Sequence, residues 1–341
     1  MSAPGWPELL PPLLRQAGIV AGGPLEIVPL TGGVSSDIVR IGLSDGRSYC
    51  AKRALPRLKV ASDWQAPLER NRYEAAWLRH AGRIVPGIAP SVLAEDDAHG
   101  VVLLDYLPPA DYRLWKAELL AGRADPATPR AVADALGRIH AATLNDPAVA
   151  AAFPTDALFD ALRLDPYLRT LAARQPALAG PILACLEVTA ATKLALIHGD
   201  VSPKNILVSA RDGHPVLLDA ECAWYGDPAF DAAFCLNHLL LKAVHLPAIR
   251  AALLEQAAAF FATWISHFPA GLRSDTGRRA AVLLPCLMLA RVDGKSPVEY
   301  LDAAEQQLVR DIAMPLIADP PDALGRVLAG LHAHLPEGEV S

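Results

Sequence analysis

The segment "LIHGDVSPKNIL", residues 196–207, runs from an apolar stretch into His198, Gly199 and Asp200, and then into Asn205. A second segment, "PVLLDAE", ends in Asp219 and Glu221. Read as the two strands of a hairpin around "NILVSARDG", these stretches bring their ends side by side. Asp200, Asp219, Glu221 and the amide of Asn205 then converge. Oxygen ligands without cysteine suit magnesium, above all magnesium that arrives with phosphates. A single Asp or Asn often does no more than make a turn. The set, taken in order, points to chemistry.

A second group lies nearer the N-terminus. "PLTGGVSSDIVRI" is a strand, a turn and a strand, with Gly32, Gly33, Ser35 and Ser36 in the turn. Backbone N–H groups and hydroxyls on such a turn can meet phosphates, although a Gly-Gly pair also makes an ordinary hairpin. The next strand, "YCAKR", carries Lys52 among apolar neighbours. A cation there wants a partner, and Glu74, in the middle of the following helical segment, can supply it. The alternative for Lys52 is a solvated strand face.

The elements that must hold these residues divide at about residue 105. "LEIVPL", "IVRIGL" and "SYCAKRAL", separated by turns, predict an antiparallel meander. "LERNRYEAAWLRHAG" (68–82) has helical periodicity with Gly82 as a C-cap, and "PSVLAED" and "VVLLDYL" resume strands. Residues 1–105 are therefore expected to form a small strand-rich lobe with one internal helix. Residues 106–341 are expected to be helical apart from the short strands of 194–219. Helices are expected at 127–144, with Thr128 as cap and Pro129 in the first turn, through 156–192, and from about 229 onward. The fold class is thus α+β and bilobal, with an antiparallel-sheet N-lobe and a larger helical C-lobe.

The chain has 341 residues, 52% hydrophobic and 20% charged, with a net charge of −6. That composition predicts a packed protein and speaks against nucleic-acid binding. Cys50, Cys185, Cys222, Cys235 and Cys286 are scattered and odd in number, which predicts reduced thiols in a cytoplasmic protein. The N-terminal sequence lacks the pattern of a signal peptide. The longest apolar run, "AAVLLPCLMLA" (280–290), is too short to span a bilayer, so it is expected to be a buried helix and no membrane partner is expected.

Together these parts resemble the aminoglycoside phosphotransferase and choline kinase group within the protein-kinase-like fold, from about Leu25 to Asp231. The group's catalytic loop, H-G-D-x-x-x-x-N, reads here His198, Gly199, Asp200, Asn205. Its metal motif reads Asp219-Ala220-Glu221 and continues into "WYGDPAFDAAF". The resemblance implies ATP and magnesium as cofactors, with adenine against "LLDYLP" on Asp105, Tyr106 and Leu107. It implies Lys52, oriented by Glu74, on the α- and β-phosphates, and Asn205 and Asp219 on magnesium. Glu221 is a further ligand or an orienting group. Asp200 would take or orient the acceptor's hydroxyl proton, and Asp231 would brace the catalytic loop through its backbone. Lys204 would neutralise the γ-phosphate or is a surface lysine. The turn lacks G-x-G-x-x-G, so Ser35 and Ser36 would stand in for glycine amides. No A-P-E segment follows Asp219, which disfavours protein substrates.

The expected activity is transfer of a phosphoryl group to a hydroxyl of a small metabolite that is neutral or anionic: a sugar, a methylthioribose-like compound or a hydroxy-amino acid. The alternatives are an inactive nucleotide-binding regulator of the same fold and an aminoglycoside- or choline-type phosphotransferase. The acceptor is expected on the helical lobe, near "DYRLWKAELL" (111–120), His238 and the loop "ARVDGKSPVEYL" (290–301). That loop would display Arg291, Asp293 and Lys295 on a turn, or is an ordinary solvated connection between helices. Trp115 and Trp224 would line the pocket or belong to the core. From Asn237 to Arg310 there are eight Lys and Arg against six Asp and Glu. A pocket for a polycation should carry surplus carboxylates instead.

Overall fold

The computed structural model describes residues 5–30, 36–55, 67 and 69–335. The chain divides into two compact units, Met1–Asp111 and Tyr112–Ser341.

The first unit is a five-stranded antiparallel sheet with strand order β1-β2-β3-β5-β4. The strands are β1 (Glu26–Pro29), β2 (Ser36–Gly42), β3 (Ser48–Ala54), β4 (Val92–Asp96) and β5 (Val101–Asp105). β3 is the central strand, with Lys52 opposite Ile38 on one side and Val102 on the other. A residue fixed by ladders on both sides has little freedom to shift register. The helix Arg70–Ile84 buries Asn71, Glu74, Ala75, Leu78 and Ala81, a spacing that makes one face of a helix. Gly82 lies inside this helix, and the N–H of Val85 bonds to the Ala81 carbonyl at its end.

An N-terminal helix, Trp6–Gln16, adds an element the strand-rich reading lacks. Its Leu9, Leu10, Leu13 and Leu14 pack with Val39, Ile41, Ala51 and Leu103. Pro7 sits in its first turn, where no N–H is needed. Pro11 and Pro12 also lie within it, so the sequence reads there as a breaker.

The second unit is mostly helical. Helices Ala127–Ala142, Pro228–His245, Arg250–Ser266, Ala270–Asp293 and Ala303–Ala318 pack together. Pro228–His245 is buried along nearly its whole length. Pro126, not Thr128, is at the N-cap of the first of them, and Asp125 just before it accepts from the Ala127 N–H at 3.0 Å and from the Thr128 hydroxyl at 3.2 Å. Residues 280–290 are helical and almost entirely buried, with Pro285 inside the helix. One described stretch, Pro247–Ser266, is long and apolar enough to cross a membrane by length and composition. Its Leu253, Phe260 and Trp264 are buried in the helical core.

The expected hairpin forms with different partners. β7 (Ala195–Ile197) pairs not with the Asp219 strand but with β10 (Trp224–Gly226). β8 (Ile206–Ser209) pairs with β9 (Pro215–Leu217) and, on its other edge, with β6 (Tyr112–Leu114). The chain turns at Gly199, whose φ is 77°. A Cβ there would collide with the Cys222 carbonyl, so this turn tolerates only glycine.

Asp227 caps the Pro228–His245 helix by accepting from the Ala229 N–H. It also holds Arg279 in a two-pronged ion pair of 2.8 and 3.1 Å, with both side chains buried. Burial pushes the Asp227 carboxyl upward against the pull of Arg279. Asp227→Ala takes the buried carboxylate from Arg279, leaving it Asp275 and Thr276, and should cost about 3 kcal/mol in urea denaturation. Asp275→Ala, on the exposed side of Arg279, should cost less than about 1 kcal/mol. Equal losses would remove the distinction.

Candidate active site

In the first unit, Lys52 Nζ donates to both Glu74 oxygens at 2.9 and 2.7 Å. Both residues are buried, at 4% and 2% exposure, so this is a desolvated pair in which each charge depends on the other. The Asn71 amide donates to the Gly100 carbonyl and, at 3.4 Å, to that of Lys52. This ties the helix to the strand beside the pair. Ser36 opens β2 and is 2% exposed, and its hydroxyl has no partner among the described residues. Gly32, Gly33 and Ser35 lie outside the described residues. Asp105 ends β5 with its carboxylate on the Ser91 N–H at 3.2 Å, and Tyr106 and Leu107 follow, half-buried.

In the second unit, the His198–Gly199 turn hangs on Asp231, which is fully buried. Its carboxylate accepts from the backbone N–H of His198 and of Gly199, both at 2.8 Å. His140 Nε2 approaches it at 3.2 Å, and Trp264 Nε1 donates to His140 Nδ1 at 3.0 Å. His198 is buried, and desolvation lowers its pKa despite the neighbouring carboxylates. Its neutral ring accepts from the Asp200 N–H at Nδ1 and donates from Nε2 to the Leu218 carbonyl at 3.1 Å. One imidazole thus spaces Asp200 from the residue before Asp219.

Asp200 is 4% exposed. Its Oδ2 receives Asn205 Nδ2 at 2.8 Å, Arg163 at 3.0 Å and Lys204 at 3.3 Å. Among the described residues no hydrogen bond falls on Oδ1. Lys204 is half-exposed, and Asp200 raises its pKa. Since Asn205 spends its amide N–H on Asp200, its carbonyl oxygen remains available as a ligand. Asp219 holds φ at 65°, a left-handed conformation that is costly without glycine and clusters at functional sites. Glu221 is buried beside Arg163. No cluster of three or more His, Cys, Asp or Glu suited to a metal occurs among the described residues. The side-chain oxygens of Asn205 and Asp219 are donors of the kind a hard cation carrying phosphates takes.

Arg163 is absent from the sequence expectations. It sits in a π-helical stretch, Asp160–Arg169, a backbone form frequent at functional sites. Its Nε donates to the Gly199 carbonyl at 2.5 Å while its other end meets Asp200. Its flanks, Leu162 and Leu164, are core residues. A lone arginine between buried apolar positions is the signal that could have marked it.

The residues expected near the acceptor separate. His238 is buried, and burial together with Arg291, Lys242, Lys204 and Lys116 lowers its pKa well below the ordinary value. Arg291 is not on a turn: the helix runs to Asp293 and Arg291 lies in its last turn, favourable for a cation. Lys295 lies past the end of that helix, with its N–H on the Pro166 carbonyl. Trp115 is buried at the start of Trp115–Leu120, which packs on the 203–205 turn. Trp224 is a core residue, stacked on Phe159 at 4.1 Å with its N–H on Asp156.

Among known proteins, the sequence profile of the Phosphotransferase enzyme family matches residues 26–264. The methylthioribose kinase of Pectobacterium atrosepticum is 30% identical over 230 residues, 59% of this chain and 56% of that protein. The chain thus spans little more than half the length of that relative. Among solved structures, Plasmodium vivax ethanolamine kinase aligns with a TM-score of 0.53 at 13% identity, over 93% of this chain and 84% of that one. An amicoumacin kinase aligns with a TM-score of 0.52 at 15% identity, over 87% of this chain and 89% of that one. Both likenesses concern the fold.

Glu74→Gln and Lys52→Met should each cost about 3 kcal/mol of stability, because each removes one member of a buried ion pair. The double variant should lose less than the sum of the two. Denaturant titration of all four proteins checks this, and additive losses would mean that the two side chains act separately.

Proposed function

The chain belongs to the Phosphotransferase enzyme family, and on that premise we propose that it is an ATP- and magnesium-dependent kinase. The acceptor is a hydroxyl of a small metabolite. The observation that carries this reading is the loop around Asp200: a carboxylate held on one oxygen by Arg163, Lys204 and Asn205, with no hydrogen bond on the other among the described residues. Phosphoryl transfer asks for little covalent work from the protein. It asks for positioning and charge neutralisation.

In the first unit, Lys52 on Glu74 is the partner proposed for the α- and β-phosphates. In the second, Asn205 and Asp219 would hold magnesium, which neutralises the phosphates when bound. Asp200 Oδ1 would accept the acceptor hydroxyl's hydrogen bond, aim the oxygen at the γ-phosphorus and take the proton as the bond forms. Lys204 lies on the same carboxylate and would meet the charge that develops on the transferred group. Arg163 keeps Asp200 from turning, since it grips both that carboxylate and the Gly199 carbonyl. The relative named methylthioribose kinase supports an acceptor of metabolite size. The cations around His238 disfavour a polycationic one.

ADP release from the full chain with ATP, magnesium and a panel of hydroxylated metabolites tests the proposal. Asp200→Asn should lower turnover by about 10²–10⁴-fold with nucleotide affinity retained. Arg163→Met should lower it by about 100-fold, through a misplaced Asp200. If no acceptor produces ADP while nucleotide still binds, the chain is an inactive regulator. If Asp200→Asn keeps most of its rate, Asp200 does not meet the hydroxyl.

A further inference from the structure

We propose that the acceptor carries an oxyanion, a carboxylate or a phosphate monoester, and that Lys242, Arg291 and Tyr300 receive it. This deepens the kinase reading above and rests on it for the acceptor's hydroxyl.

Lys242 is 1% exposed in the middle of the second unit. Its ammonium lies 3.4 Å from the His238 carbonyl and 5.1 Å over the ring of Tyr300. No ion pair to a carboxylate holds it among the described residues. The Tyr300 hydroxyl is buried without a hydrogen-bond partner among the described residues, and so is Arg291 Nε. Arg291 spends its Nη1 on Ser296 and on the Tyr167 hydroxyl at 3.2 Å, which are neutral partners. Two cations and a phenol thus share one region with hydrogen-bonding capacity to spare.

The surroundings deepen the imbalance. Lys116 and Lys204 act on the same His238. Lys116 pairs with Glu299, and Lys204 with Asp200. Burial and repulsion by Lys116 lower the Lys242 pKa to about 7, against the attraction of Glu299. Glu299 already pairs with Lys116, and a buried ammonium that makes no ion pair of its own among the described residues is costly. An oxyanion supplied by a ligand would remove that cost and engage Tyr300 and Arg291 together.

This group also lies next to the chemistry. Arg163, which grips Asp200, and Arg291 stand over the same Tyr167 ring, at 6.0 and 5.9 Å. Phe234 links Arg163 to His238 on the next helix turn, with its ring 5.5 Å from each. An acceptor with its hydroxyl on Asp200 and its oxyanion a few carbons away would satisfy both ends.

The test uses the full chain with ATP and magnesium. The acceptors are D-glycerate, D-gluconate and ribose 5-phosphate, set against glycerol, glucose and methylthioribose. An anionic acceptor should exceed every neutral one by at least about 10-fold in kcat/KM. Preference for the acids or for the sugar phosphate identifies the oxyanion. Lys242→Met and Arg291→Ala should each raise KM for that acceptor about 10–100-fold, with KM for ATP as before. Without ligand, Lys242→Met should raise Tm by about 2–4 °C, which a structural lysine would not do. Neutral acceptors preferred and KM unmoved by either substitution would overturn the proposal. Should nothing be phosphorylated, the kinase reading falls alone and the thermal shift decides the oxyanion site. Stabilisation of the wild-type chain but not of Lys242→Met by the same anions supports the site, and no difference between the two overturns it.

Discussion

The second unit is organised by one buried carboxylate. Asp231 accepts two backbone N–H bonds from the His198–Gly199 turn and faces His140, which in turn receives Trp264. A fully buried acid is tolerable only when its oxygens are occupied, so the turn, three helices and β7 are constrained together. The residues after Gly199 inherit that constraint. Asp200 comes next in the chain, and His198 ties it to Leu218 through one neutral ring. Asp219 is then placed by its neighbour rather than by a strand pairing of its own.

Charge is built into each unit before any ligand is considered. The first holds Lys52 against Glu74 on the central strand of its sheet. The second surrounds Asp200 with two cations and an amide. Such buried networks stay ordered only when their members are satisfied. Lys242, Arg291 and Tyr300 depart from that rule close to the site, and a departure of this kind is where a ligand's own charge belongs.

Residues with strict local grammar were legible in the sequence. The ordered set His198, Asp200, Asn205 and Asp219 was readable as one constellation, and the cost of a cation on an apolar strand made Glu74 a candidate partner for Lys52, with a solvated strand face as the alternative that the fold removes. The partner of β7 was not legible. "WYG" is too short to show alternation, and it pairs with β7 only because Gly199 turns the chain away from β9. The Pro11 and Pro12 signals hid the first helix, whose leucines carry the packing. Arg163 was hidden because π-helical backbone has no sequence period to read. Lys242 was visible as a lone lysine in "CLNHLLLKAVH", but its meaning depends on Tyr300, far along the chain and brought near only by the fold.

Phosphorus NMR of the full chain with ATP, magnesium and a hydroxylated acceptor tracks the transferred group itself. The structure predicts a phosphomonoester resonance that grows as the γ-phosphate signal falls, in step with ADP and only when an acceptor is present. Loss of the γ-phosphate to inorganic phosphate alone, whatever acceptor is supplied, would contradict it: Asp200 would then be presenting water and not a bound hydroxyl.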